Sequence, residues 1–126
     1  MNIPPELRYT KDHEWVQISG QTARIGITDY AQDALGDVVF VSLPAVGTRV
    51  TCGESFSEVE STKSVSEIYS PLSGVVTAAN VALVDAPEAI NREPYGEGWL
   101  CEIRFESLPV GEVLLDAGSY RALVEG

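Results

Sequence analysis

Chemistry-bearing side chains are scarce in this sequence. It has one histidine (His13), one methionine (Met1), two cysteines (Cys52 and Cys101) and two lysines (Lys11 and Lys63). A lone histidine with no cysteine beside it makes no zinc site, and no serine or cysteine motif supplies a nucleophile for a triad. Cys52 and Cys101 match no metal or redox spacing, so both are expected to be buried or half-buried thiols. No glycine-rich nucleotide-binding pattern occurs. Positive charge is also short: 8 Lys and Arg stand against 19 Asp and Glu, a net charge of −11. Such a surface repels phosphate backbones and argues against nucleic acid as a partner and against a polybasic membrane anchor. Long apolar runs are missing, so no membrane span is expected. The start, MNIPPELRYTKDHEW, lacks the apolar region of a signal peptide and the Arg- and Ser-rich pattern of a transit peptide. The expected location is the cytoplasm, with no membrane contact. Conventional catalysis has little to stand on.

What is present reads as one mainly β unit over residues 1–126, a length suited to a single core. HEWVQIS, a turn at Gly20–Thr22 and ARIGIT form a hairpin pattern, with Trp15, Ile18, Ala23, Ile25 and Ile27 supplying apolar faces. DYAQDAL is a helix, with Thr28 as N-cap and Gly36 at the position that closes it. The β-branched run DVVFVSL predicts a well-buried strand. DAPEAIN predicts a short helix capped by Asp85, with Pro87 in its first turn. WLCEIRF predicts a strand, and LLDAGSYRALVEG a C-terminal helix with Leu114, Leu115, Tyr120, Leu123 and Val124 on one side. A Pro-x-x-Gly turn feeds a Val-containing strand at 44–50 and again at 71–76, an echo that hints at two similar halves packed as a sandwich.

Lys63 differs from an ordinary surface lysine by its placement. SFSEVES and SVSEIYS both alternate with a period of two and flank Thr62 and Lys63. They predict an antiparallel hairpin with Lys63 at its tip, although the tip lacks the usual Asn-Gly or Asp-Gly. Glu58, Glu60 and Glu67 lie on the same strands. An amine presented on a rigid turn suits covalent modification, because a modifying enzyme can reach it. With an acyl arm attached, it would reach on the order of 10–15 Å from bond lengths alone. The attached group would then carry chemistry that the protein only binds and orients.

The segment ESTKSVSEIYSPLSGVV resembles the lipoyl-attachment region of glycine cleavage H proteins. YTKDHEWV, GITDYAQDALGDVVFVSLPAVG and NREPYGEGW resemble further stretches of that family in the same order, so the likeness spans roughly residues 7 to 124. It departs at Thr62, where the family often has Val; threonine is β-branched too, and the turn should survive. The resemblance implies a lipoyl/biotinyl-type β-sandwich, a barrel-sandwich hybrid with short flanking helices and a C-terminal helix. It implies (R)-lipoate bound covalently to Lys63, and a monomeric shuttle with no catalysis of its own. That shuttle would take the aminomethyl group of glycine from a pyridoxal-phosphate glycine decarboxylase to a tetrahydrofolate-dependent aminomethyltransferase. A dihydrolipoyl dehydrogenase would then reoxidise the arm, and lipoylating enzymes would attach it. Glu14, in the HEW stretch, is implied to meet the amine of the loaded arm. Glu67 is a candidate either for recognition by the lipoylating enzyme or for the cleft.

One alternative of related chemistry is a lipoyl domain serving 2-oxo acid dehydrogenases, but those present Asp-Lys-Ala at the tip where this chain has Thr-Lys-Ser. Another, of a different class, is a non-catalytic interaction module or an H-like protein that relays lipoyl groups; the intact lysine and HEW stretch disfavour a purely structural role and leave the relay open. A biotin carrier usually has Met-Lys-Met, and Met1 is the only methionine here.

Overall fold

The computed structural model describes residues 1–109 and 113–126. In chain order the elements are β1 (Arg8–Tyr9), β2 (Glu14–Ser19), β3 (Thr22–Ile27), α1 (Asp29–Leu35), β4 (Val38–Ser42), β5 (Arg49–Val50) and β6 (Ser55–Ser61). There follow β7 (Val65–Tyr69), β8 (Gly74–Ala79), α2 (Ala82–Asp85), α3 (Ala89–Arg92), β9 (Cys101–Arg104) and α4 (Ala117–Glu125). The strands make two sheets, one of order β1-β2-β3-β9-β8-β5 and one of order β4-β6-β7. The result is the expected β-sandwich with short helices and a C-terminal helix.

Period-two patterning sets the layers. In the large sheet Val16, Ala23, Ile25, Val76 and Ile103 are all buried and form one apolar cluster. In the small sheet Val41, Val59 and Ile68 face a second cluster with Ile27, Leu35, Leu83 and Ile90. Phe56 touches both clusters. A third, built from Ile3, Leu7, Tyr9, Trp15 and Tyr120, ties the N-terminal segment to α4. The β2–β3 hairpin pairs Glu14 with Ile27 through to Ser19 with Thr22. Its turn uses Gly20 at φ 60°, where a side chain would be strained. The two echo segments are direct partners: Arg49 pairs with Val75 and Val50 with Gly74 in antiparallel register. Gly47 N–H donates to Val76 O at 2.8 Å, and Val76 N–H to Thr48 O at 2.9 Å.

Three expectations are corrected. β4 is not well buried: Val39 and Phe40 are each 52% exposed. It is an edge strand, and a register shift between Val38 and Phe40 breaks the alternation. A β-branched composition reports strand propensity, not which strand ends at an edge. The helix at DAPEAIN starts earlier and is split. Asp85 ends α2 instead of capping it, and α3 begins after Glu88 with no side-chain cap. Pro87 falls between the two turns, consistent with its missing N–H. At the C-terminus, Leu114 and Leu115 precede the helix. Leu115 instead bridges Tyr9, with backbone bonds of 2.6 and 2.8 Å. Asp116 starts α4 by accepting from Ser119 N–H at 2.8 Å.

Candidate functional site

The β6–β7 hairpin turns at residues 61–64, with Thr62 and Lys63 at its tip. Ser61 N–H donates to Ser64 O at 2.8 Å. The Ser61 hydroxyl oxygen accepts from the N–H groups of Lys63 and Ser64 at 3.2 and 3.1 Å. This serine-based turn needs no left-handed residue. Neither Thr62 nor Lys63 has a positive φ, which explains how the tip forms without Asn-Gly. Thr62 N–H donates to Asp37 O at 3.0 Å, so the tip is also tied to the chain entering β4. Lys63 is exposed.

The lysine stem runs over Gly36. A Cβ placed there would lie 3.0 Å from Lys63 Cε and 3.6 Å from Cγ. Gly36 closes α1 at φ 85°, ψ −159°, a conformation open essentially to glycine alone. Asn91 fixes this patch: its Nδ2 donates to Gly36 O at 2.9 Å and its Oδ1 accepts from Val38 N–H at 2.8 Å. Gly36→Ala should therefore lower stability by about 2 kcal/mol and displace the Lys63 stem. Urea unfolding, with the rate of acylation at Lys63, checks both effects.

Between the hairpin and α1 lies a groove of about 300 Å³. It is lined by Tyr30, Ala34 and Leu35 of α1, by Ser64 and Val65 of the hairpin, and by Asp12 and His13. Asp12 also borders a second cavity of about 330 Å³, which contains Thr10, Glu14, Cys52 and Ser70. Asp12 thus lines both spaces, one beside the Lys63 hairpin and one holding Glu14.

Glu14 is 1% exposed. Its Oε1 accepts from the Thr10 hydroxyl at 2.6 Å and its Oε2 from Tyr69 N–H at 3.2 Å. No ion pair among the described residues reaches it. Burial pushes its carboxyl up from 4.5 to about 7, against the pull of those two hydrogen bonds. An opposite charge brought against this carboxyl would favour its ionised form and lower that pKa. Between 4.5 and about 7 the folded protein holds a proton that the unfolded chain has released. This group's contribution is complete below 4.5, falls as pH rises and levels off above about 7. The total loss is on the order of 3 kcal/mol. Glu14→Gln should flatten that slope, as urea midpoints measured from pH 4 to 8 will show.

Glu67 is exposed on the outer face of the small sheet, opposite Glu58. It accepts from the Tyr69 hydroxyl at 3.4 Å and lines neither cavity. Of the three residues singled out from the sequence, Glu14 lines one cavity, Lys63 adjoins the other through Ser64, and Glu67 borders neither. Thr10, Asp12, His13, Gly36 and Cys52 were not assigned to a site by sequence reasoning. The four-residue spacing of Thr10 and Glu14 across a turn was the one available signal.

The family model for the glycine cleavage H-protein matches residues 7–126. A glycine cleavage system H protein of Mycobacterium avium is 56% identical over 125 residues, 95% of each chain. That of Mycobacterium tuberculosis is 54% identical over 127 residues, again 95% of each. The crystal structure of a glycine cleavage system H protein from Mycobacterium marinum superposes with a TM-score of 0.91 at 43% identity, covering 98% of this chain and 100% of that one. This chain belongs to the glycine cleavage H-protein family. Members of that family are lipoyl carriers, a component of a multi-enzyme system. The residues present fit such a group: an exposed primary amine, a glycine left bare beneath its stem, and a groove of about 300 Å³ lined by Ser64, the next residue. All of them fall within the residues that match the glycine cleavage H-protein model.

Proposed function

We propose that Lys63 carries (R)-lipoate as an amide. On that arm the chain shuttles the aminomethyl group of glycine from glycine decarboxylase to the aminomethyltransferase, and dihydrolipoyl dehydrogenase then restores the oxidised form. Bound lipoate would supply the reactive sulfurs; the chain's own residues receive and shelter what the arm holds. The observation that carries this reading is Glu14, a buried carboxyl that no ion pair among the described residues reaches, in a cavity that shares Asp12 with the groove beside the Lys63 hairpin.

Glu14 would receive the ammonium of the aminomethyl group through a charge-assisted hydrogen bond. The pairing would bring its pKa back down, releasing the proton it holds when empty. Thr10 and Tyr69 N–H fix both carboxylate oxygens, so Glu14 meets the cation in a set orientation. The apolar sides of the groove, Tyr30, Ala34, Leu35 and Val65, would exclude water from the arm. Glu67, opposite Glu58 on the exposed sheet face, would face the lipoylating enzyme and not the cleft. In this reading residues 1–126 form a single carrier domain, monomeric and cytoplasmic, with no catalytic group of its own. No helix among the described residues is long and apolar enough to cross a membrane.

The reading is tested by adding lipoylated protein to glycine decarboxylase and following exchange of labelled bicarbonate into glycine. Exchange is expected. Its absence, with the decarboxylase active toward another H protein, would overturn the glycine-specific role and favour a relay of lipoyl groups.

A further inference from the structure

The one histidine of the chain lines the groove beside the Lys63 hairpin in a state fixed by two hydroxyls. The Tyr120 oxygen lies 2.8 Å from His13 Nδ1 and 2.8 Å from Thr28 Oγ1. Tyr120 and Thr28 are both 0% exposed, so each hydroxyl hydrogen must find an acceptor inside the protein. Thr28 Oγ1 already accepts from Ala31 N–H at 3.2 Å, the cap of α1. Were Tyr120 to donate to Thr28, the hydrogen of Thr28 would have no acceptor among the described residues. The opposite direction satisfies every group: Thr28 donates to Tyr120, and Tyr120 donates to His13 Nδ1. Nδ1 is then bare, and a neutral imidazole carries its proton on Nε2.

The ring is also held in place. His13 has φ 70°, the only non-glycine residue with positive φ among those described. Its N–H donates to Thr10 O at 3.1 Å and its carbonyl accepts from Thr28 N–H at 3.0 Å. A strained backbone fixed from both sides is a common feature of ligand sites. The ring packs on Tyr30 with centroids 4.7 Å apart and meets Tyr120 edge-on at 5.7 Å. With Nδ1 occupied, Nε2 is the nitrogen left to the groove that His13 lines.

We propose that His13 is an arm-binding residue: its Nε2–H donates a hydrogen bond to the amide oxygen that joins the acyl arm to Lys63. The inference rests on Lys63 being the attachment point. The amide oxygen is the strongest acceptor on such an arm. Ser64 and Ser66 also border the groove, but their hydroxyls rotate, whereas the imidazole is fixed. Neutrality matters as much as direction. An imidazolium would repel the ammonium that Glu14 receives, while a neutral N–H binds the carbonyl without that penalty. The groups facing the ring are Asp12 beside it, Tyr30 from α1 and Tyr120 from α4. Burial lowers the pKa of His13 and Asp12 raises it, with burial the larger effect.

A chain with one histidine allows a direct test, because the ¹⁵N spectrum of labelled imidazole has a single source. In unmodified protein at pH 7 the neutral Nε2–H tautomer is expected; the Nδ1–H tautomer would overturn the proposal. Tyr120→Phe, which keeps the ring and removes the hydroxyl, should let the other tautomer appear. The arm is then attached with a ¹³C-labelled carbonyl, its reduced form loaded by condensation with formaldehyde and ammonia, and Lys63 modification verified by intact mass. Loading should shift both the Nε2 proton and the arm carbonyl, and unchanged shifts would overturn the proposal. His13→Gln retains an amide donor at the ε position and should preserve the carbonyl shift. His13→Asn, which tolerates positive φ but lacks that donor, should lose it. Equal behaviour of the two variants would overturn the assignment. An unmodified Lys63 would defeat the carrier reading itself, whereas a wrong tautomer would defeat only the role of His13.

Discussion

Lys63→Arg is expected to leave the fold as stable as before, to within about 0.5 kcal/mol, and to abolish acylation of the chain completely. Arginine retains the positive charge and the long stem on an exposed tip. The turn beneath it is made by Ser61 and by backbone groups, none of which needs the lysine side chain beyond Cβ. The guanidinium stays protonated and cannot act as the amine of an amide bond under physiological conditions. The only other lysine, Lys11, borders the Glu14 cavity and lies outside every strand and helix. It offers no hairpin to a lipoylating enzyme and should not substitute. Intact mass and urea unfolding of the same preparation separate the two statements. A variant that unfolds would show Lys63 to be structural.

Gly26→Val is expected to have the largest effect on stability, a loss of about 3 kcal/mol, because it overpacks a closed core. Gly26 is the cross-strand partner of Trp15. A Cβ at this position would fall 2.6 Å from Trp15 Cε2 and Nε1 and 2.7 Å from Cζ2. The indole cannot move aside cheaply. It is 1% exposed, and its N–H donates to Pro94 O at 2.8 Å, holding the 94–99 loop to the large sheet. Glu14 is the residue before Trp15, so displacing the indole should also loosen the carboxyl and lower its raised pKa. The hairpin bearing Lys63 belongs to the other sheet and should remain acylable while folded. Chemical denaturation should therefore show a large shift in midpoint, with modification at Lys63 retained.

These two residues also mark what a sequence can reveal. Lys63 was legible because its neighbours alternate with a period of two and because the chain has only two lysines. The four ordered stretches then supplied the family. Thr28 as cap and Gly36 as helix stop were legible for the same local reason, since capping depends on a residue and its next few neighbours. Gly26 was not: within ARIGIT it reads as one more strand residue, and only the register with Trp15 reveals what fills its space. The relay from Thr28 to Tyr120 to His13 joins residues 28, 120 and 13, and no window of the sequence contains it. The exposure of Val39 and Phe40 depended on β4 being an edge, a fact of sheet order and not of composition. Glu14 lay between these cases. Its place was implied by the HEW stretch, but its burial with no ion pair among the described residues came only from the packing of Thr10 and Tyr69 around it.

The central claim is that this chain acts through an arm on one lysine. Peptide mass mapping of the native protein, isolated from lipoate-replete cells that make it, tests this most directly. A lipoyl amide on the peptide containing Lys63, with Lys11 unmodified, is the expected result. An unmodified Lys63, or biotin in place of lipoate, would contradict it.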